Sequence, residues 1–316
     1  MMADYDKNVK YATIGKWNLM KKLGSGATSR VYLAYDPLSK KYAAIKVIKR
    51  LDAKYTEMVR NEVKLQSSLV HPNILGVQDF HEAIVLTDAE DKVQTVTAVV
   101  LDHARGGDIL KLIDTIGIFP ERLARTYFRQ LIDSIEYLHK NEVAHRDIKP
   151  ENIMLDGDYC LRLADFGCAN KYTGRKYFKT PAGTSKYFPP EVHGGQTYEG
   201  IAVDLFAAAI VAFCMAVGHM PFSKAVETDS LYGLLYAGKA KHYWKVHEEI
   251  LRGHSDEKAI NADFKDLMTR MLDPNPSKRM TIEEIKKSAY YNGSKLEKSE
   301  IVAAIKAVKG KKKIGA

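Results

Sequence analysis

In the run His145-Arg146-Asp147-Ile148-Lys149-Pro150-Glu151-Asn152, a carboxylate, an ammonium and a carboxamide fall within six residues, Asp147 to Asn152. Asp147 is a candidate proton acceptor, Lys149 a fixed cation and Asn152 an oxygen donor suited to a hard metal ion. A solvated charged loop would not require this order. Eighteen residues past Asp147, Asp165-Phe166-Gly167 supplies a second carboxylate. Nearer the N-terminus, Leu23-Gly24-Ser25-Gly26-Ala27-Thr28-Ser29-Arg30-Val31 lies between two strand-like runs. Glycines at 24 and 26 let a hairpin backbone approach a triphosphate without a Cβ in the way, presenting N–H groups to phosphate oxygens. Lys46 closes the run Ala43-Ala44-Ile45-Lys46 among apolar neighbours. A half-buried ammonium needs a partner, and Glu62 in the next helical segment can supply it.

Each motif alone is weak; their order along the chain is not. Together they resemble the eukaryotic protein kinase superfamily, serine/threonine type, from about Trp17 to about Tyr291. The resemblance extends to His71-Pro72-Asn73-Ile74, to Gly183-Thr184 and Pro189-Pro190-Glu191, to Asp204, and to Arg279 as the partner of Glu191. It implies an α+β, two-lobed fold: a small antiparallel β lobe with one main helix, and a larger, mostly helical lobe. Phosphoryl transfer then asks for positioning and charge neutralisation rather than covalent chemistry.

By that resemblance Gly24 and Gly26 cover the phosphates of ATP beside Leu23, and Lys46, paired with Glu62, holds the α- and β-phosphates. Asn152 and Asp165 bind Mg²⁺, Asp147 accepts the substrate hydroxyl's proton, and Lys149 meets the γ-phosphate charge. Val31, Ala44 and Met154 enclose the adenine. Leu101 guards the back of that pocket, and Asp102 to Ala104 form the hinge. Asp108, with Glu151, stands where basic-directed relatives contact an arginine of the substrate. Lys149 and Thr184 mark a preference for serine and threonine. Arg146 beside Asp147 marks the class switched on by phosphorylation of the activation segment, with Thr180 as the acceptor for an upstream kinase. Three positions depart from the family pattern. Ser29 replaces a glycine, Gln66 stands where a leucine is usual, and Phe206-Ala207-Ala208-Ala209 replaces the usual Trp-Ser-x-Gly. The subfamily stays open between Aurora-like and calcium/calmodulin-dependent groups.

The elements needed to position these groups are visible in the periodicity. Residues 17 to 48 read as strands, 52 to 69 as a helix, and Ile84–Leu86 and Val93–Leu101 as further strand. Gly106-Gly107 ends the β-rich part. Leu123, Tyr127, Leu131, Ile135 and Leu138 mark one face of a helix from Pro120 to Lys140, closed by Asn141. Helices resume at 203 to 217 and continue with breaks to about 290. The expected boundaries are an extension over 1–16, a catalytic domain over 17–291 divided near 103, and a basic tail over 292–316.

With 316 residues, 46% hydrophobic and 28% charged, the chain can bury a sizeable core. The net charge is +9. Seven lysines against Glu297 and Glu300 give the stretch Lys295–Lys313 a charge of +5, so more than half the excess sits in the tail. Nothing resembling a nucleic-acid-reading motif accompanies it. Ile301, Ile305 and Val308 form an apolar stripe ahead of Lys309 and Lys311–Lys313, which packs on the large lobe or meets a regulatory partner. Three cysteines without CxxC spacing argue for a reducing, intracellular setting, cytoplasmic or nuclear. The longest apolar run, Leu205–Val217, is thirteen residues and too short to span a bilayer. It reads as a buried helix. Protein substrates and a monomeric state complete the expectation.

Overall fold

In a computed structural model, the structure describes residues 6, 7, 9–26, 28–48, 52–172, 177–254 and 259–314, with side chains in the last helix followed to residue 308. The side chains of Lys309 and Lys311–Lys313, and residue Ala27 of the glycine-rich run, lie outside the described residues. The chain divides into two compact units, 1–105 and 106–316.

The first unit is built on a sheet. Strands β1 (Ala12–Ile14), β2 (Trp17–Ser25), β3 (Ser29–Asp36), β4 (Lys41–Ile48), β5 (Val77–Thr87) and β6 (Val93–Asp102) pair in the order β1-β2-β3-β4-β6-β5. The pairing of β1 with β5 closes the barrel. All pairs are antiparallel. Side chains alternate across each strand, so one face of the sheet buries Leu19, Ala34, Ala43, Ile45, Ala98 and Val100 around Ile14 and Trp17. Strand β1 lies inside the segment expected as an extension, yet it completes the barrel. Helix α1 (Ala53–Ser67) opens with Asp52, whose carboxylate accepts the Tyr55 N–H at 2.9 Å. It buries Val59 and Val63 against Ile48 and Val99.

The second unit starts with the short strand β7 (Gly107–Asp108), helix α2 (Ile109–Ile116) and the 20-residue α3 (Glu121–Lys140). The five residues expected on the inner face of α3 are all fully buried. A loop-rich stretch follows, carrying β8 (Val143–Ala144), β9 (Ile153–Leu155), β10 (Leu161–Leu163), β11 (Asn170–Lys171), β12 (Tyr177–Phe178), α4 (Pro190–His193) and β13 (Tyr198–Glu199). Helix α5 (Gly200–Val217) is apolar on every side. Its length and hydropathy would let it cross a membrane, but 83% of it is buried, as befits a core helix. Helices α6 (Tyr232–Tyr236), α7 (Ala240–His254), α8 (Ala262–Met271), α9 (Ile282–Lys287) and α10 (Ala289–Asn292) follow, and α3, α6, α7 and α8 pack against it.

The tail is structured. Helix α11 (Lys298–Ile314) packs against α2 and buries Ile301 and Ile305 to 1% exposure each, while Val308 is partly covered. Leu296 anchors the approach through its N–H to Thr126 Oγ1. The apolar stripe therefore packs on the large unit.

Candidate active site

In the first unit, strand register decides which side chains meet. Gly24 pairs with Val31, and Val31 with Lys46, so the three form one cross-strand row over β2, β3 and β4. Ala44 lies opposite Leu101, and Ala43 opposite Asp102. The Lys46 ammonium donates to Glu62 Oε1 at 3.0 Å, with both side chains about one-fifth exposed. One turn on, Gln66 is buried and its Nε2 donates to the Leu75 carbonyl at 2.8 Å, fixing the end of α1 to the segment after His71-Pro72-Asn73-Ile74. The departure from leucine at 66 thus provides a tether. A Cβ added to Gly24 would meet nothing within 4 Å, and one on Gly26 only Ser29 Oγ at 3.8 Å. Neither glycine is required by the chain's own packing. Leu23 is 42% exposed beside them. Asp102 accepts from Gln78 Nε2 at 2.9 Å, and Ala104 follows it within the same unit.

In the second unit the loop from His145 to Asn152 is held from below by one buried carboxylate. Asp204, fully buried near the start of α5, accepts the N–H groups of His145 (2.9 Å) and Arg146 (2.7 Å), while His139 Nε2 lies 3.1 Å away. This support holds Arg146 at φ 62°, a left-handed conformation that costs energy for a side chain with a Cβ. The Asp147 carboxylate is then saturated with donors. Thr184 N and Oγ1 both reach Oδ1 at 2.8 Å; Lys149 Nζ (2.7 Å) and Asn152 Nδ2 (3.0 Å) reach Oδ2. Lys149 Nζ also donates to Thr184 Oγ1 at 2.7 Å. Four donors on one carboxylate fix its direction.

The second carboxylate motif is tied to the first. His145 Nε2 lies 3.1 Å from the Ala164 carbonyl, Ala164 N donates to Asn152 O at 2.9 Å, and the His145 and Phe166 rings meet edge-on at 5.0 Å. Asp165 follows at φ 62°, exposed. Among the described residues its carboxylate takes no hydrogen bond and no ion pair. Asn152 spends its amide nitrogen on Asp147 and leaves its amide oxygen unbonded among them. An exposed carboxylate and an amide oxygen suit Mg²⁺, which binds through one or two protein oxygens and completes its octahedron with phosphates and water. Among the described residues no cluster of three or more His, Cys, Asp or Glu could cage a metal alone. The donor set fits a metal that arrives with its nucleotide.

Other predicted residues occupy this unit too. Met154 pairs with Asp108 in the β7–β9 ladder, and Glu151 is exposed. Asp108 has a duty the sequence did not announce: it caps α2, accepting Lys111 N at 2.8 Å and Lys111 Nζ at 2.7 Å. Cys168 is partly buried, and burial together with Asp147 and Asp165 raises its thiol pKa, so it is no activated nucleophile. Glu191 and Arg279 form a buried two-point pair, 2.7 Å at each end. The supporting role of Asp204 was missed, because its partners lie 58 and 59 residues away and no local pattern encodes them.

Residues 17–291 match the protein kinase domain family, and the chain belongs to it. Among curated relatives it is 30% identical over 277 residues to the probable serine/threonine-protein kinase MARK-A of Dictyostelium discoideum, covering 86% of this chain and 24% of that protein. It is 31% identical over 287 residues to CBL-interacting protein kinase 26 of Oryza sativa subsp. japonica, covering 88% of this chain and 52% of that one. The chain thus spans about a quarter and about half of these relatives.

Proposed function

We propose that this chain transfers the γ-phosphoryl group of ATP, with Mg²⁺, to serine and threonine hydroxyls of protein substrates. The observation that carries the reading is the Asp147 carboxylate, held by Lys149, Asn152 and Thr184. Asp147 takes the proton as the substrate oxygen bonds to the γ-phosphorus. The bond from that phosphorus to the bridging oxygen breaks, and ADP leaves. Lys149 faces the charge carried across on the phosphoryl group, and Thr184 holds Asp147 at the edge where a hydroxyl is presented. Lys46, fixed by Glu62, binds the phosphates of the nucleotide, and Gly24 and Gly26 leave backbone N–H groups room to approach them. Asn152 and Asp165 hold Mg²⁺, which neutralises phosphate charge when bound.

Thr180 is the proposed site of an activating phosphate. It is exposed and lies three residues before Gly183. A phosphate would add about 1.5 to 2 negative charges near Arg146. The test of the main reading is labelled γ-phosphate transfer to peptide libraries carrying serine, threonine or tyrosine as sole acceptor. Label should enter the serine and threonine sets. Transfer confined to tyrosine, or to no peptide, would refute it.

A further inference from the structure

The segment after Gly167 meets Arg146 through a ring and through its backbone. The first is aromatic. The Arg146 guanidinium carbon lies 4.4 Å from the ring centroid of Phe178, within cation–π range, while its Nε donates to the Cys168 carbonyl at 2.8 Å. Phe178 is itself held on three sides. It stacks on Tyr198 at 5.8 Å, pairs with Tyr198 across the β12–β13 ladder, and packs with Val192, Val203 and Phe188. The Tyr198 hydroxyl donates to the Thr180 carbonyl at 2.8 Å, carrying the same anchor two residues further. At Gly200, the first residue of α5, a Cβ would collide with Ala144 of β8 and come within 2.7 Å of the Phe178 ring, so the start of α5 lies close against that ring.

The second contact is backbone. Gly183, at φ 103°, sits so near the Arg146 carbonyl that no Cβ could fit, and the next residue, Thr184, holds Asp147. Arg146 is thus fixed in its left-handed conformation by Asp204 beneath it, Phe178 on its side chain and Gly183 on its carbonyl.

We infer that Phe178 is a positioning residue: its ring clamps Arg146 and orders residues 177–187, so that Thr184 is held against Asp147. The inference rests on the phosphoryl-transfer reading for its kinetic consequence, though not for its structural one.

The experiment uses full-length protein carrying Thr180→Ala, so that phosphorylation cannot compensate, with Phe178→Leu or Phe178→Tyr added. Leucine keeps apolar bulk and removes the π face; tyrosine keeps the ring. Phe178→Leu should lower kcat about 3- to 30-fold with KM for ATP little changed, and Phe178→Tyr should restore it to within about 2-fold. In an Arg146→Met background the Leu substitution should cost nothing further, since the pair acts as one unit. Hydrogen–deuterium exchange at 177–187 should rise several-fold in the Leu variant alone, a readout that stands even if no phosphate transfer is found. Unchanged exchange on Phe178→Leu would overturn the clamp. So would equal losses for Leu and Tyr, which would make Phe178 ordinary packing.

Discussion

Two cation–glutamate pairs, Arg279–Glu191 in the second unit and Lys46–Glu62 in the first, differ in almost every physical respect. Arg279 and Glu191 are 3% and 4% exposed and bond at two points, both 2.7 Å. Arg279 also donates Nε to the Asp273 carbonyl and lies 4.8 Å over the Phe206 ring. Lys46 and Glu62 are 22% and 16% exposed and bond at one point, 3.0 Å. The first pair is closed on itself: a planar fork meets a planar carboxylate and little donor capacity is left over. In the second, a point charge on a flexible stem is presented from a strand and stays partly exposed. Burial separates a brace from a site. The residue types alone do not.

The brace should break hardest. Glu191→Ala leaves the Arg279 guanidinium buried and uncompensated, and should cost about 3–5 kcal/mol of stability, read from denaturant unfolding of the whole chain. Replacing both partners with apolar residues of similar volume should cost far less, because the desolvation penalty then disappears with the charge.

Next in size comes a buried titratable group that lacks a counter-charge. His247 is fully buried among Phe213, Tyr243 and Trp244, with His219 Nε2 3.0 Å from its Nδ1. Burial, with the neighbouring His219, pulls its pKa down to about 4. A depressed pKa means the folded state prefers the neutral ring. The stability it contributes is therefore complete above the unfolded value near ~6.5 and is lost as pH falls from there through the folded value. The loss should reach roughly 3 kcal/mol, and His247→Phe should flatten that part of the stability–pH profile.

The smallest stability effect belongs to the open pair. Lys46→Met should change unfolding free energy by about 1 kcal/mol or less, as expected for a partly exposed ion pair, yet it should raise KM for ATP and depress turnover strongly. A large stability loss at Lys46 would erase the contrast between the two pairs.

Much of this was legible in the sequence because the relevant signals are local. The face of α3, the apolar character of α5 and the strand character of residues 17 to 48 were readable from residue pattern alone, and the order of the motifs gave Lys46, Asp147, Lys149, Asn152 and Asp165. Three elements show what was not. Strand β5 runs from Val77, but only Ile84–Leu86 were expected, because a register shift between His81 and Ile84 breaks its alternation. Helix α2 has only eight residues, too few to distinguish its apolar face from a buried strand. Strand β1, three residues long, exists only because β2 and β5 flank it. At the site, the contacts of Asp204, Gln66 and Phe178 were hidden for one reason. Each is made to backbone or to a ring whose position only the folded chain defines.

The central claim is that the Asp147 carboxylate, held in place by its four donors, accepts the substrate proton. The most direct test is the rate of γ-phosphate transfer from Mg-ATP to a serine peptide by wild-type and Asp147→Asn protein, with the native fold checked by circular dichroism. A fall of about 10²- to 10⁴-fold with the fold intact is the predicted result. Near-normal transfer by the Asn variant would contradict the account.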